Sequence, residues 1–130
     1  RNGLSVEYEV ANVFDLLPSL TPGEYDYIIL DPPAFTKSGK TVKNAERGYK
    51  EINYRAMKAL PRGGYLATCS CSHFMTPELF AKTIREAAKG AHRRLRQVEY
   101  RTQAADHPIL WAADESYYLK FYLFQVCGEL

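Results

Sequence analysis

The fold is decided by one stretch of the sequence, Tyr25-Asp26-Tyr27-Ile28-Ile29-Leu30-Asp31-Pro32-Pro33-Ala34-Phe35. Its apolar run from Ile28 to Leu30 ends at an acid and two prolines, which is the pattern of a buried parallel strand at its carboxyl end. In open α/β sheets ligands bind outside those ends, so Asp31 is expected beside a binding crevice. Pro32 and Pro33 favour a stiff, extended loop that can hold a flat ring. An isolated Asp-Pro-Pro more often carries a solvated aspartate, so the neighbouring motifs decide between the two interpretations.

The composition is that of one globular domain over residues 1–130, with 46% hydrophobic residues. No apolar run has the length of a membrane span or of a signal-peptide core, so we expect a cytoplasmic protein without membrane association. The three cysteines are an odd number, and two of them, Cys69 and Cys71, lie close together while Cys127 lies near the end. This pattern argues against a disulfide framework. Because no histidines stand at ligand spacing, we also expect no metal site.

The formal net charge of +2 is too small to establish nucleic-acid binding by itself. The basic residues are nevertheless grouped in two segments: Lys37, Lys40, Lys43, Arg47 and Lys50, then Arg93, Arg94, Arg96 and Arg101. Basic side chains beside a binding crevice can meet phosphates, and a solvated basic face fits the same counts. The charge pattern leaves both interpretations open.

Periodicity and turn residues predict the order of the secondary structure elements. The predicted elements are a strand over 4–10, a short helix or turn over 11–17 closed by Pro18, the central strand ending at Leu30, a helix over 45–60, a strand over 65–68, a helix from Pro77 to about Lys89, a strand over 94–102, a loop over 103–115 and a strand over 117–126. This order predicts an α/β fold with a mostly parallel sheet. The last two strands, joined without a long helix, are expected to pair antiparallel.

A carboxylate and a thiol are expected to face each other if the strands that end at Asp31 and at Ser70-Cys71-Ser72 are neighbours. A thiolate is a strong nucleophile, and one at a helix start near basic residues has a lowered pKa. Addition of a thiol to carbon 6 of a pyrimidine makes carbon 5 able to attack an electrophilic methyl group, while an aspartate hydrogen-bonds the ring. A free cysteine is more often a small buried hydrophobe, and the composition alone favours that interpretation.

Four blocks in order carry a resemblance to a known family: Asp31-Pro32-Pro33-Ala34-Phe35-Thr36-Lys37-Ser38, Arg47-Gly48-Tyr49-Lys50-Glu51-Ile52-Asn53, Gly63-Gly64 with Ser70-Cys71-Ser72-His73, and Gln103-Ala104-Ala105-Asp106-His107-Pro108. Over essentially its whole length the chain resembles the RlmI-type methyltransferases. These are class I S-adenosylmethionine enzymes that make 5-methylcytosine in 23S ribosomal RNA of the bacterial large subunit. The resemblance therefore implies S-adenosylmethionine as the cofactor and ribosomal RNA as the partner.

The resemblance also implies roles for individual residues. It implies Cys71 as the nucleophile and Asp31 as a second catalytic residue. The residues implied in cofactor binding are Asn12, Val13, Phe14 and Asp31, and those implied in substrate binding are Pro32, Pro33, Phe35, Lys37 and His107.

The resemblance leaves two positions to be assigned, the nucleophilic cysteine and the residue that contacts the adenine ring. Related RNA methyltransferases place the catalytic cysteine at the seventh residue after the Gly-Gly turn, which from Gly64 is Cys71, so Cys69 is kept in reserve. The family commonly has an aspartate where Asn12 stands. An amide carbonyl can still accept a hydrogen bond from the adenine amino group.

The glycine-rich cofactor loop and the acid that ends the second strand in class I methyltransferases are not in this sequence. We therefore expect the carboxyl-terminal part of a methyltransferase domain that is inactive alone. In the usual strand order 3-2-1-4-5-7-6, loss of strands 1 and 2 exposes the edge of residues 27–30. Either residues 4–10 move beside it, or two chains pair through it as a homodimer, and an uncovered edge in a monomer would count against both.

Two other functions fit parts of the pattern. Uridine-5 RNA methyltransferases also use Asp-Pro-Pro, together with a Ser-Cys-Asn motif, whereas amino-group methyltransferases favour Asn-Pro-Pro-Tyr and need no thiol. A non-catalytic module that contacts RNA or dimerises is the other alternative. It predicts that Cys71 is dispensable.

Overall fold

The computed structural model describes residue 3 and residues 5–33, 42–113, 116 and 118–129. Its elements in chain order are α1 (Val13–Ser19), β1 (Tyr27–Leu30), α2 (Val42–Ala59), β2 (Tyr65–Ser70), α3 (Pro77–Gly90), β3 (Arg93–Arg101) and β4 (Lys120–Glu129). Both long helices and the central strand lie close to their predicted positions. None of the helices in the described ranges is both long and apolar enough to cross a membrane.

The strands form a four-stranded sheet in the order β1-β2-β4-β3. β1 pairs with β2 in parallel, and β4 pairs antiparallel with both β2 and β3. Three strands therefore run in one direction and β4 runs against them. This confirms the predicted α/β fold with a mostly parallel sheet and an antiparallel C-terminal strand, and the order matches the 4-5-7-6 part of the expected sheet.

The core lies where α2 and α3 pack against each other and against the sheet. Tyr49 of α2 and Phe80 of α3 are fully buried, and their rings meet edge to face at 5.8 Å between centroids. Phe80 also lies 6.0 Å from the ring of Tyr122 on β4. Because apolar side chains recur on one face of each helix, burying that face against the sheet removes it from water and fixes the strand ends relative to one another.

The starts of α1 and α3 follow from capping side chains. Thr76 Oγ1 accepts a hydrogen bond from the backbone N–H of Leu79 at 3.1 Å, and Pro77 occupies the first turn, as predicted. Asn12 caps α1 by accepting from the N–H of Phe14 at 2.9 Å. Pro18 lies inside α1 and does not close it, since the helix continues to Ser19.

The predicted strand over residues 4–10 is wrong for the part that the structure describes. Residues 5–10 have no regular structure, and Tyr8 and Val10 are 90% and 106% exposed. The alternation is present in the sequence, but a strand also needs a neighbour for its backbone groups, and these residues pair with none of the four strands. Leu4 lies outside the described residues.

Among the described residues, no strand pairs with the outer edge of β1, and Ile29 is 67% exposed. The expectation that residues 4–10 move beside β1 is therefore wrong for residues 5–10. Pairing of two copies through this edge stays a prediction.

Strand lengths differ from prediction at two places. β2 continues through Cys69 and Ser70, which were expected beyond its end, because both residues pair with β4. β4 begins at Lys120. The described residues 103–113 of the predicted loop form no helix or strand.

Candidate active site at the ends of β1 and β2

Asp31 and Cys71 each follow one of two neighbouring parallel strands. β1 and β2 pair in register from Tyr27 opposite Tyr65 to Leu30 opposite Thr68. This confirms that the strand ending in Asp31 and the strand ending before Cys71 are adjacent. Their carboxyl ends therefore open on one edge of the sheet, where α/β folds bind ligands.

The thiol that meets Asp31 belongs to Cys69. Its Sγ donates to Asp31 Oδ1 at 3.3 Å and lies 3.5 Å from the carbonyl oxygen of Leu30. The expectation that Cys71 faces Asp31 is thus corrected. The difference arises because β2 is two residues longer than predicted. Cys69 therefore lies within the strand, beside Asp31, and Cys71 lies beyond the end of the strand.

Burial raises the pKa of the Cys69 thiol to about 12, and the hydrogen bond to Asp31 and the charges of Asp31 and Cys71 add to the effect. A thiol is a weak nucleophile while it stays protonated. Cys69 therefore remains a thiol at neutral pH, where it hydrogen-bonds the aspartate.

Cys71 is exposed between two buried serines. The Ser70 hydroxyl donates to the Tyr49 hydroxyl at 3.0 Å and accepts from the N–H of Ser72 at 3.4 Å. Ser72 in turn accepts from the N–H of Phe74 at 3.3 Å through its hydroxyl oxygen. The Ser-Cys-Ser pattern thus anchors the turn on both sides and presents the thiol outwards. Cys71 is not at a helix start, since α3 begins only at Pro77.

Lys120 is a residue of this site that the sequence analysis missed. Its side chain is fully buried, and its Nζ donates to the carbonyl oxygens of Ser72 and of Tyr118, the latter at 2.8 Å. Burial lowers the pKa of Lys120 to about 8, and the charge of Cys71 acts in the opposite direction. The signal in the sequence was a single lysine directly before a run of four aromatic and apolar residues, 121–124, a position where charge is rare.

A cavity of about 500 Å³ lies beside Asp31. It is lined by Asn12, Val13, Phe14, Ile29, Leu30, Asp31, Pro32, Pro33 and Ile52. The structure therefore brings all the predicted cofactor-binding residues and two predicted substrate-binding residues to one place. Its mostly apolar walls with a few polar groups suit a flat ring. The side-chain Oδ1 of Asn12 accepts from the N–H of Phe14, and an amide oxygen has a second lone pair that can accept from a ligand donor.

The other predicted substrate-binding residues lie apart from that cavity or outside the description. Phe35 and Lys37 lie outside the described residues. His107 is exposed, with Nε2 at 3.7 Å from Asp106 Oδ2. The His107 ring meets the ring of Tyr118 edge to face, with 6.3 Å between the ring centroids. The backbone carbonyl of Tyr118 accepts from Lys120, so Tyr118 contacts both residues.

Two basic residues of α2 lie along a different surface. Arg47 and Lys50 line a groove of about 560 Å³ with Tyr54 and Glu86, apart from the Asp31 cavity. Within the described ranges, no three His, Cys, Asp or Glu side chains gather as a metal-binding group.

No protein-family model matches the chain. Among known proteins, the chain is 45% identical over 124 residues to ribosomal RNA large subunit methyltransferase I of Shewanella denitrificans, which covers 92% of this chain and 31% of that protein. It is 46% identical over 124 residues to the protein of the same name from Photobacterium profundum, with the same shares covered. These similarities confirm the resemblance read from the motifs. The chain spans about 31% of the length of these curated relatives.

Solved structures show the same fold. SMU.776, a protein assigned as a methyltransferase and solved with SAH, superposes with a TM-score of 0.72 at 23% identity, over 90% of this chain and 30% of that one. A protein from Streptococcus mutans assigned as SAM-dependent methyltransferase gives a TM-score of 0.71 at 24% identity, over the same shares. At these identities the likeness is one of fold, and it agrees with the sheet order described above.

Proposed function

We propose that this chain carries the base-binding loop and the nucleophile of an enzyme that methylates carbon 5 of a cytosine in 23S ribosomal RNA. The observation that carries the proposal is the exposed Cys71, held on an anchored turn at the same sheet edge as Asp31 and its cavity. The names of the relatives support the choice of ribosomal RNA as substrate. The reaction would take place in the cytoplasm, without a membrane.

The residues of the site divide the reaction between them. Cys71 as thiolate adds to carbon 6 of the cytosine, and carbon 5 then gains the electron density needed to attack a methyl group. Asp31 hydrogen-bonds the ring through the carboxylate oxygen that Cys69 does not occupy, and it relays a proton from water to ring nitrogen 3 as the thiolate adds, so that the adduct carries no net negative charge. After methyl transfer the proton on nitrogen 3 returns to water and a second water molecule removes the proton on carbon 5. The electron pair of that C–H bond then expels the Cys71 thiolate and restores the ring.

The cavity beside Asp31 fits the adenine end of the cofactor. Asn12, Val13 and Phe14 form one wall, and Ile29 and Leu30 form another. S-adenosylmethionine supplies the electrophilic methyl group when it is bound. Because the sequence contains no glycine-rich loop and partner acid for the methionine and ribose parts, we expect the chain alone to be inactive.

The test uses a full-length protein that contains this chain, as wild type, as Cys71→Ala and as Cys69→Ala for a matched control. Labelled methyl transfer from S-adenosylmethionine is measured on ribosomal RNA that lacks the modification, and nucleoside analysis identifies the product. We expect 5-methylcytidine from the wild type and from Cys69→Ala, and none from Cys71→Ala.

Each alternative function gives a different result in the same experiment. A uridine-5 methyltransferase would yield 5-methyluridine with the same dependence on Cys71. A non-catalytic module would leave methyl transfer insensitive to Cys71→Ala. Either result would overturn the proposed function.

A further inference from the structure

Lys120 is a buried cation for which the mechanism above gives no role. Its side chain is 0% exposed, and in the described part of the chain no carboxylate pairs with it. Its hydrogen-bond partners are two backbone carbonyls, those of Ser72 and Tyr118. A buried ammonium group that no described carboxylate neutralises is costly, so its presence needs an explanation.

The position of Lys120 places its ammonium group under the turn that carries Cys71. Lys120 is the first residue of β4 and pairs with Ser70, the last residue of β2. Its Nζ reaches past Ser70 to the carbonyl of Ser72. Lys120 therefore contacts the residues on both sides of Cys71. Its backbone pairs with Ser70, and its side chain donates to the carbonyl of Ser72.

We propose that Lys120 is a positioning residue for Cys71, which fixes the turn through the Ser72 carbonyl and supplies the positive charge that favours the attacking thiolate. This role rests on the proposed function. The hydrogen bond from Lys120 Nζ to the Ser72 carbonyl holds the turn that presents the sulfur, and a positive charge beneath that turn favours negative charge on the sulfur.

The charges around Lys120 agree with this role. Cys71 is the titratable group whose charge acts on Lys120, and it opposes the effect of burial, which lowers the pKa of Lys120 to about 8. Asp31 acts on Cys69 and not on Lys120. Lys120 is therefore charged at neutral pH, and it loses that charge as the pH rises through about 8.

The test compares two alkylating reagents at the same sulfur in the intact protein. Iodoacetate is an anion and iodoacetamide is neutral. A nearby cation therefore raises the ratio of the iodoacetate rate to the iodoacetamide rate at Cys71. Site-resolved mass spectrometry measures this ratio in the wild type, in Lys120→Met and in Lys82→Met. Lys82 is a matched control, because its exposed ammonium pairs with Glu46 at 3.5 Å on the helical side of the fold.

We expect Lys120→Met to lower the ratio at Cys71 by roughly three- to tenfold, because one unit charge beside the turn is lost. Lys82→Met should leave the ratio unchanged. A residue that merely fills space would not change the discrimination between a charged and a neutral reagent. An unchanged ratio in a Lys120→Met protein with an intact thermal unfolding transition would overturn the proposal.

The wild type alone provides a second measurement, which stands even if Lys120→Met does not fold. The ratio at Cys71 should fall as the pH rises through about 8, whereas the ratio at Cys127 should stay level. A level profile at Cys71 would contradict the proposal. Neither measurement needs methyl transfer, so a failure of the proposed function, seen as an active Cys71→Ala enzyme, is distinguishable from a failure of this inference.

Discussion

Cys69 and Cys71 are near neighbours in the sequence, but their environments in the fold are opposite. Cys69 lies within β2, half-buried, with its thiol donating to Asp31. Cys71 lies just beyond the strand, exposed on a turn that buried serines hold. The comparison shows that the end of a strand, and not the identity of the residue, separates a half-buried thiol that is kept protonated from an exposed thiol.

The largest difference between the two cysteines is expected in catalysis. In a full-length enzyme, Cys71→Ala should lower methyl transfer by about a thousandfold or more, because the covalent step is lost. Cys69→Ala should change the rate by less than about tenfold, since it removes only one hydrogen bond to Asp31. Initial rates with labelled cofactor measure both. A larger loss for Cys69→Ala than for Cys71→Ala would reverse the assignment.

A second difference is expected in chemical reactivity. Because its pKa is about 12, only about one in ten thousand Cys69 groups is thiolate near pH 8. Iodoacetamide should therefore label Cys71 about a hundredfold faster than Cys69. Tandem mass spectrometry of the alkylated peptide resolves the two sites.

The variant Asp31→Asn sharpens this comparison. It removes the charge that raises the pKa of Cys69 and leaves burial, the larger cause, in place. Labelling of Cys69 should therefore become faster and yet remain slower than labelling of Cys71. Equal rates at the two cysteines in the wild type would contradict the account.

The cation beneath Cys71 should appear in the pH dependence of stability. The pKa of Lys120 is lowered from 10.5 to about 8 in the fold, so the folded state binds fewer protons than the unfolded state between these values. The contribution of Lys120 to stability therefore rises with pH in this window and is lost as the pH falls through about 8. From pH 7 to 10, the unfolding free energy of the wild type should rise by about 2 kcal/mol relative to Lys120→Met.

Urea unfolding at matched pH values measures this difference. Cys69 also titrates at alkaline pH, and its raised pKa makes the folded state less stable as the pH rises. This effect is the same in both proteins, so it cancels when the wild type is compared with Lys120→Met. A difference that stays constant across this range would show that the lysine titrates alike in the folded and unfolded states.

The smallest effect is expected at the serine anchor. Ser70→Ala removes the hydrogen bond to Tyr49 and the acceptor for Ser72 N–H, so it should cost about 1 to 2 kcal/mol of unfolding free energy. Ser19→Ala is a matched control, because its hydroxyl donates to a backbone carbonyl at the exposed end of α1. Equal losses at the two serines would mean that the turn is not specially anchored.

The sequence predicted those parts of the fold that local patterns determine. The apolar faces of α2 and α3, the Thr76-Pro77 start and the Asp31-Pro32-Pro33 strand end are all local signals, and the structure shows each element. The cofactor-binding residues came from the family resemblance, and the structure gathers them around one cavity.

The features that were missed depend on distant pairing. Residues 5–10 alternate like a strand but have no neighbour to pair with. The contact between Cys69 and Asp31 depends on two residues that β2 gains by pairing with β4. Lys120 reaches the Cys71 turn only because β4 returns antiparallel to β2, and no local pattern shows which strand a lysine will lie beside.

The most direct test of the central claim is to trap the covalent intermediate. A full-length enzyme is incubated with S-adenosylmethionine and target RNA that carries 5-fluorocytosine, whose fluorine cannot leave as a proton does, so the adduct persists after methyl transfer. Fragmentation of the crosslinked peptide then locates the attached sulfur. The account predicts the adduct on Cys71, and an adduct on Cys69, or methyl transfer without any adduct, would contradict it.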